Sequence, residues 1–259
     1  MAGPRGHLVG WTLVAAILLA VLVSPGAATS SSVLVGVRHN MRANVITPDG
    51  HGPYPGVLVL HTAGGLEPAD LDYAQRLARE GYVCLVPAFM EAYRISGPSR
   101  DADIVAHASE LYADFVDALA VLRRNEKVGG SRVGAVGFSA GGGFATWLAA
   151  TSKIQAGVSY YGGFRPGTDL SLSQMQAAFT STSAPVLILQ GSADAPATVR
   201  VAERLRAILD RAHSPYEIYF YPGAGHTFER ELASKANRDA AEDSWRRTLE
   251  FLGKYLKQP

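Results

Sequence analysis

The chain has 259 residues, 47% of them hydrophobic, with 24 basic and 23 acidic side chains. That is enough apolar material for one substantial core, and one domain is the natural reading. The near-balance of charge gives no footprint for nucleic acid and no field to steer a strongly charged partner, and the single cysteine, Cys84, excludes a disulfide framework.

The first residues differ from the rest. Arg5 supplies positive charge, Leu8 to Val23 form an almost unbroken apolar run, and Pro25-Gly26-Ala27-Ala28 follows. This is the layout of a secretory signal with cleavage after Ala28, so residues 1–28 are expected to direct export and the mature chain to begin near Thr29. The run falls short of the ~20 residues that span a bilayer, and retention as a membrane anchor is the alternative.

Beyond it, Val33 to Val37 and Arg42 to Thr47 read as opening strands with a turn near His39-Asn40. Gly56 to Leu60 is a continuous apolar strand, as in a sheet covered on both faces, and it runs into His61-Thr62-Ala63-Gly64-Gly65. Pro68 opens a helix that ends at Gly81, and Tyr82 to Val86 is the next buried strand. Residues 88–100 lack periodicity. From Asp101 a long helix is expected to place Ile104, Ala108, Leu111, Phe115, Leu119 and Leu122 on one stripe. A strand at Val133 to Val136, a helix from Gly143 to Ala150 and strands at 156–161, 185–189 and 216–221 follow, with a helix through Val201, Leu205 and Ile208 before the last strand. A final helix is expected to present Ala241, Trp245, Leu249, Leu252 and Leu256. Strands and helices alternating this regularly predict an α/β fold with a mostly parallel sheet, helices on both faces and right-handed crossovers.

Gly137-Phe138-Ser139-Ala140-Gly141 has the G-x-S-x-G form of a nucleophile elbow, between a strand and a helix. So sharp a turn forces the serine into positive φ and lifts its hydroxyl clear of the sheet, while residues two before and two after must be very small. A serine needs a base, and the base needs an orienting acid. In a parallel sheet these gather beyond the carboxyl ends of strands, where Asp194 follows the strand 185–189 and His226 follows the strand 216–221. Asp169, in the loop after the strand 156–161, is a second position for the acid. His61 also follows a strand, but it precedes the glycine-rich turn expected to form the oxyanion loop, and is read as a packing residue. The oxyanion hole is expected to use the backbone N–H groups of Ala140 and Ala63. Thr62, Tyr93, Arg94, Tyr160 and Tyr161 follow strands and are candidates to line a substrate pocket. Cys84, mid-strand, reads as a small buried hydrophobe. The histidines lack metal-ligand spacing, and Gly141-Gly142-Gly143 lacks the spacing of a phosphate loop, so neither a metal site nor a phosphate loop is expected.

His61-Thr62-Ala63-Gly64-Gly65, the elbow with Gly142, Tyr160-Tyr161-Gly162-Gly163, Asp194 and Gly225-His226-Thr227-Phe228 together resemble the dienelactone hydrolase family, over roughly residues 33–257. The resemblance implies an α/β-hydrolase fold over residues 29–259 with little or no lid, no cofactor, and Ser139, Asp194 and His226 as a triad. Two positions depart from the family's best-known members, which carry cysteine at Ser139 and glutamate at Thr62. A general carboxylesterase acting on a small-molecule ester is therefore expected, rather than an enzyme for dienelactone itself. A peptidase or acyltransferase on the same triad is the alternative, and a secreted binding module without catalysis a more distant one.

Overall fold

The computed structural model describes residues 28–128, 130, 132–163 and 177–257. The N-terminal apolar run and Asp169 lie outside these residues. Among the described residues no helix is long and apolar enough to cross a membrane.

Eight strands form one sheet: β1 (Thr29–Val35), β2 (Met41–Thr47), β3 (Gly56–Leu60), β4 (Val83–Pro87), β5 (Val133–Phe138), β6 (Ala156–Tyr160), β7 (Val186–Gly191) and β8 (Tyr216–Tyr221). Their order is β1-β2-β4-β3-β5-β6-β7-β8. β2 runs antiparallel to β1 and β4, and every other neighbouring pair is parallel. β3 to β7 are buried residue by residue, because helices cover both faces and leave no polar side to alternate with.

Among the described residues, the helices that pack on the sheet are α1 (Pro68–Arg79), α2 (Phe89–Ala92), α3 (Arg100–Ala106), α4 (Ala108–Arg123), α5 (Ala140–Ala150), α6 (Pro196–Ala212) and α7 (Lys235–Leu256). One core joins α2 to α6 to the sheet through Phe89, Phe115, Phe144, Leu148 and Leu205. The other joins α1 and α7 to the opposite face through Tyr73, Leu77, Phe138, Tyr160, Phe251 and Leu252.

The topology fixes where chemistry is to be sought. From β3 the chain crosses to β4 on one side, and from β5 it crosses to β6 on the other. The connections that leave these two adjacent strands diverge, which opens a crevice at their carboxyl ends.

The opening strand, expected over Val33 to Val37, runs over Thr29–Val35, and the helix expected from Gly143 starts at Ala140; two further expectations need larger correction. The long helix from Asp101 is two helices, broken at His107, whose φ of −96° and ψ of 9° leave the helical region. The apolar stripe survives the break: Ile104, Ala108, Leu111, Phe115, Leu119 and Leu122 are all buried. In α7 the buried face is centred on Asn237, Ala240, Ser244, Thr248 and Phe251, with Leu252 and Leu256, while Ala241, Trp245 and Leu249 lie on its flank, half-buried. The reason is polar. The buried hydroxyl of Tyr160 needs a partner and finds Thr248 Oγ1 at 2.8 Å, so a hydrophilic strip of α7 faces inward.

Candidate active site

β5 ends at Phe138 and α5 begins at Ala140, so Ser139 alone makes the turn, at φ 51° and ψ −115°. A Cβ on Gly137 would collide with the Gly141 carbonyl, and one on Gly141 with the Leu60 carbonyl. Both glycines are therefore required by close backbone approach, and the second contact shows the turn after β3 pressed against the start of α5. Every residue of α5 is buried, so the helix that carries the serine has little room to shift.

The other two candidates meet Ser139 at this edge. His226 Nε2 lies 3.3 Å from Ser139 Oγ, and His226 Nδ1 lies 2.8 Å from Asp194 Oδ2. Asp194 lies three residues beyond the end of β7. Its Oδ1 accepts the N–H of Ala195 at 2.6 Å, and its Oδ2 accepts a further bond from Gln190 Nε2 at 3.0 Å. Burial opposes the charge on Asp194, but the bonds from His226, Gln190 and Ala195 outweigh it and hold the carboxyl below its ordinary value. An ionised carboxylate only accepts, so Nδ1 must carry the proton and Nε2 presents its lone pair to the serine hydroxyl.

The imidazole is 38% exposed, against 2% for the Asp194 side chain. The ring also lies against that of Tyr161, 4.5 Å away between centroids. Tyr161 follows β6 at φ 37° and is buried. Burial, reinforced by the charge of Glu229, raises its phenol well above the usual value, and the neutral hydroxyl donates to Glu229 Oε2 at 2.5 Å. Glu229 Oε1 accepts from Arg230 Nε at 2.6 Å. Arg230 then reaches α1, with Nη2 2.9 Å from Asp70 Oδ1 and Nη1 3.1 Å from Glu67 Oε2.

The two expected oxyanion donors belong to segments that meet at this edge, where the backbone at Gly141 abuts the Leu60 and His61 carbonyls. Ala140 opens α5, where N–H groups lack partners within the helix and the helix dipole favours an anion. Ala63 sits in the turn after β3, shaped by Thr62, whose Oγ1 accepts the Gly64 N–H at 2.9 Å. Thr62 thus has a turn-forming role. His61 is buried, stacks on Phe89 at 3.8 Å between centroids, and bonds the Thr62 carbonyl through Nδ1 at 2.7 Å.

The remaining candidates scatter. Tyr93 is a packing residue, its hydroxyl bonded to the buried Asp114 at 2.8 Å and its ring against His39 and His107. Tyr160 is likewise internal, bonded to Tyr73 and Thr248 on the α1–α7 face. Both are buried. Arg94 is exposed, on a left-handed turn after α2. Cys84 is buried, and burial pushes its thiol well up, away from the thiolate. A concavity of about 440 Å³ beside β1 and α4, lined by Val37, Arg38, Tyr112 and Lys153, contains none of the residues around Ser139. Sequence reasoning missed Gln190, Glu229 and Arg230. Gln190 carried a signal, a lone polar side chain closing the run Val186-Leu187-Ile188-Leu189; the other two carried none beyond nearness to His226.

Comparison with known proteins agrees with this architecture. The model of the dienelactone hydrolase family matches residues 41–256. A protein of Escherichia coli (strain K12) provisionally named carboxymethylenebutenolidase is 32% identical over 215 residues, covering 79% of this chain and 78% of its own. A solved structure provisionally named dienelactone hydrolase, from Klebsiella pneumoniae, is 26% identical with a TM-score of 0.75, and the match covers 89% of this chain and all of that one. The dienelactone hydrolase from Anabaena variabilis shares the fold at 24% identity and a TM-score of 0.64, over 89% and 99% of the two chains. With the matched region spanning nearly all of the sheet and its helices, the chain has the α/β-hydrolase fold and belongs to the dienelactone hydrolase family.

Proposed function

We propose that this hydrolase cleaves carboxylic esters by two-step acyl transfer through Ser139, His226 and Asp194. The observation that carries this reading is the bridging imidazole, with Nε2 3.3 Å from Ser139 Oγ and Nδ1 2.8 Å from Asp194 Oδ2. Ser139 Oγ attacks the ester carbonyl while His226 Nε2 takes its proton, and Asp194 stabilises the imidazolium and keeps the ring in the right tautomer. The carbonyl oxygen, now an anion, accepts from the Ala140 and Ala63 N–H groups. Collapse of this adduct returns the proton from His226 to the alcohol, which leaves. Water activated by the same imidazole then releases the acid and restores the serine. A small-molecule ester without a cofactor satisfies every step. We further propose export directed by residues 1–28, which N-terminal sequencing of protein recovered outside the cytoplasm would check.

The test is labelling of the full chain with a fluorophosphonate, paired with hydrolysis of p-nitrophenyl acetate. One label per chain on the peptide that holds Ser139, with loss of both label and hydrolysis in Ser139→Ala, is expected. A label elsewhere, or hydrolysis undiminished in Ser139→Ala, would overturn the proposal.

A further inference from the structure

The His226 segment is held on both sides, Gly225 by Asn237 and Thr227 by Glu231, but the imidazole itself is open on one face. The ring is 38% exposed, and among the described residues Asp194 and Ser139 bond its nitrogens. The segment that carries it leaves regular structure after β8, and the next residue, Thr227, takes a left-handed φ of 55°. Behind the ring, however, runs a continuous polar chain: Tyr161 against the imidazole, Glu229 on the Tyr161 hydroxyl, Arg230 on Glu229, and Asp70 and Glu67 on Arg230. Its anchor is firm, because Asp70 is buried and its second oxygen accepts the Glu67 N–H at 2.9 Å, at the start of α1.

The composition of this chain bears on its role. The Asp70, Glu229 and Arg230 side chains are 0%, 7% and 16% exposed. Taking such charges out of water is costly, and apolar residues of the same volume commonly stabilise a fold as well or better. What charged, forked groups supply instead is direction. Glu229 uses one oxygen on each neighbour, and the Arg230 guanidinium engages through Nε and both Nη atoms. Each link therefore has one geometry, and the last one sets the plane against which His226 rests.

We propose that Glu229 and Arg230 are positioning residues for His226: they act through Tyr161, tie the His226 segment to α1, and hold Nε2 in line with Ser139. The proposal rests on the assignment of His226 as the general base. Because misplacement of a reacting group by about 1 Å can cost up to 10²-fold in rate, loosening this strap should lower kcat while leaving substrate binding nearly intact.

The test uses full-length Tyr161→Phe, Glu229→Gln and the double variant, with steady-state hydrolysis of p-nitrophenyl acetate, melting temperature, and the low-field proton resonance of His226 Nδ1–H. Tyr161→Phe keeps the ring on His226 and removes only the hydroxyl. We expect each single variant to lose roughly tenfold in kcat with KM within about twofold, and the low-field resonance to broaden or shift. The double variant should lose no more than Glu229→Gln alone, because both changes act on the one Tyr161–Glu229 link. A kcat within about twofold of wild type in folded Tyr161→Phe would overturn the proposal, and so would single losses that multiply in the double variant. Should Glu229→Gln fail to fold, Tyr161→Phe decides alone. An inactive Ser139→Ala beside a fully active Tyr161→Phe sinks the strap and spares the triad, whereas an active Ser139→Ala sinks the triad itself.

Discussion

The turns after β3 and β8 each place a histidine at the carboxyl edge of the same sheet, His61 and His226, and the two have opposite lives. His226 is 38% exposed on its side chain, bridges Ser139 and Asp194, and faces the crevice. His61 is wholly buried, flat against Phe89, with Nδ1 committed to the Thr62 carbonyl and no protein partner for Nε2 among the described residues. Burial, only partly offset by the Thr62 bond, lowers its pKa to about 4. Residue type and place after a strand are shared by both. A carboxylate on one nitrogen and an open face on the other are not, and these make a base.

Four experiments would break or sharpen this contrast. The largest effect belongs to the open site: Ser139→Ala and His226→Ala should each lower kcat by roughly 10⁴-fold or more with little change in melting temperature, because triad members act as a unit. His61→Asn, which places an amide nitrogen where Nδ1 stood, should keep hydrolysis within about tenfold. Equal losses at His61 and His226 would erase the distinction. Next, Asp194→Asn should fold normally yet lose about 10³- to 10⁴-fold, since an amide favours the wrong imidazole tautomer. A silent Asp194→Asn together with a dead Asp169→Asn would move the acid to the second position.

The buried histidine has its own signature, in stability rather than rate. Its native pKa is depressed, so as pH falls below ~6.5 the unfolded chain takes up a proton that the native protein refuses until about pH 4. The His61 contribution is fully present above that window and is lost progressively through it, by an amount on the order of 3 kcal/mol at most. Urea titrations between pH 7 and 4 should show this slope, and His61→Asn should flatten it. The smallest effect concerns the buried thiol. Cys84→Ala should cost about 1–2 kcal/mol through a small cavity and leave the chemistry alone, and iodoacetamide should not inactivate the native protein. Rapid inactivation that Cys84→Ala abolishes would mean that the protonated, packed thiol described above is wrong.

Much of this molecule is written in local patterns. The elbow glycines, the buried strands and the order Ser139, Asp194, His226 each rest on a residue's immediate neighbours and on strand ends, which continuous apolar runs expose directly. What stayed hidden depends on distant partners. The break at His107 interrupts no hydrophobic stripe, so periodicity passes over it. The inward face of α7 is polar because Thr248 answers Tyr160, a residue 88 positions away. Tyr93 and Tyr161 look alike in sequence, each beyond a strand, yet one bonds Asp114 and the other backs His226. Glu229 and Arg230 read as ordinary surface charges until α1 is folded against them.

The backbone of Ser139 carries a consequence for how this protein could decay. At φ 51° and ψ −115° a side chain is tolerated only because the surrounding structure enforces it, and such residues cost of order 1–3 kcal/mol each. Glycine would relieve that strain, so Ser139→Gly should be at least as stable as wild type while devoid of the nucleophile. A lineage released from selection for hydrolysis would meet no folding penalty at this codon and a small reward for losing it. Retention of the serine among descendants would then record continued use of the reaction, since nothing in the fold itself defends it.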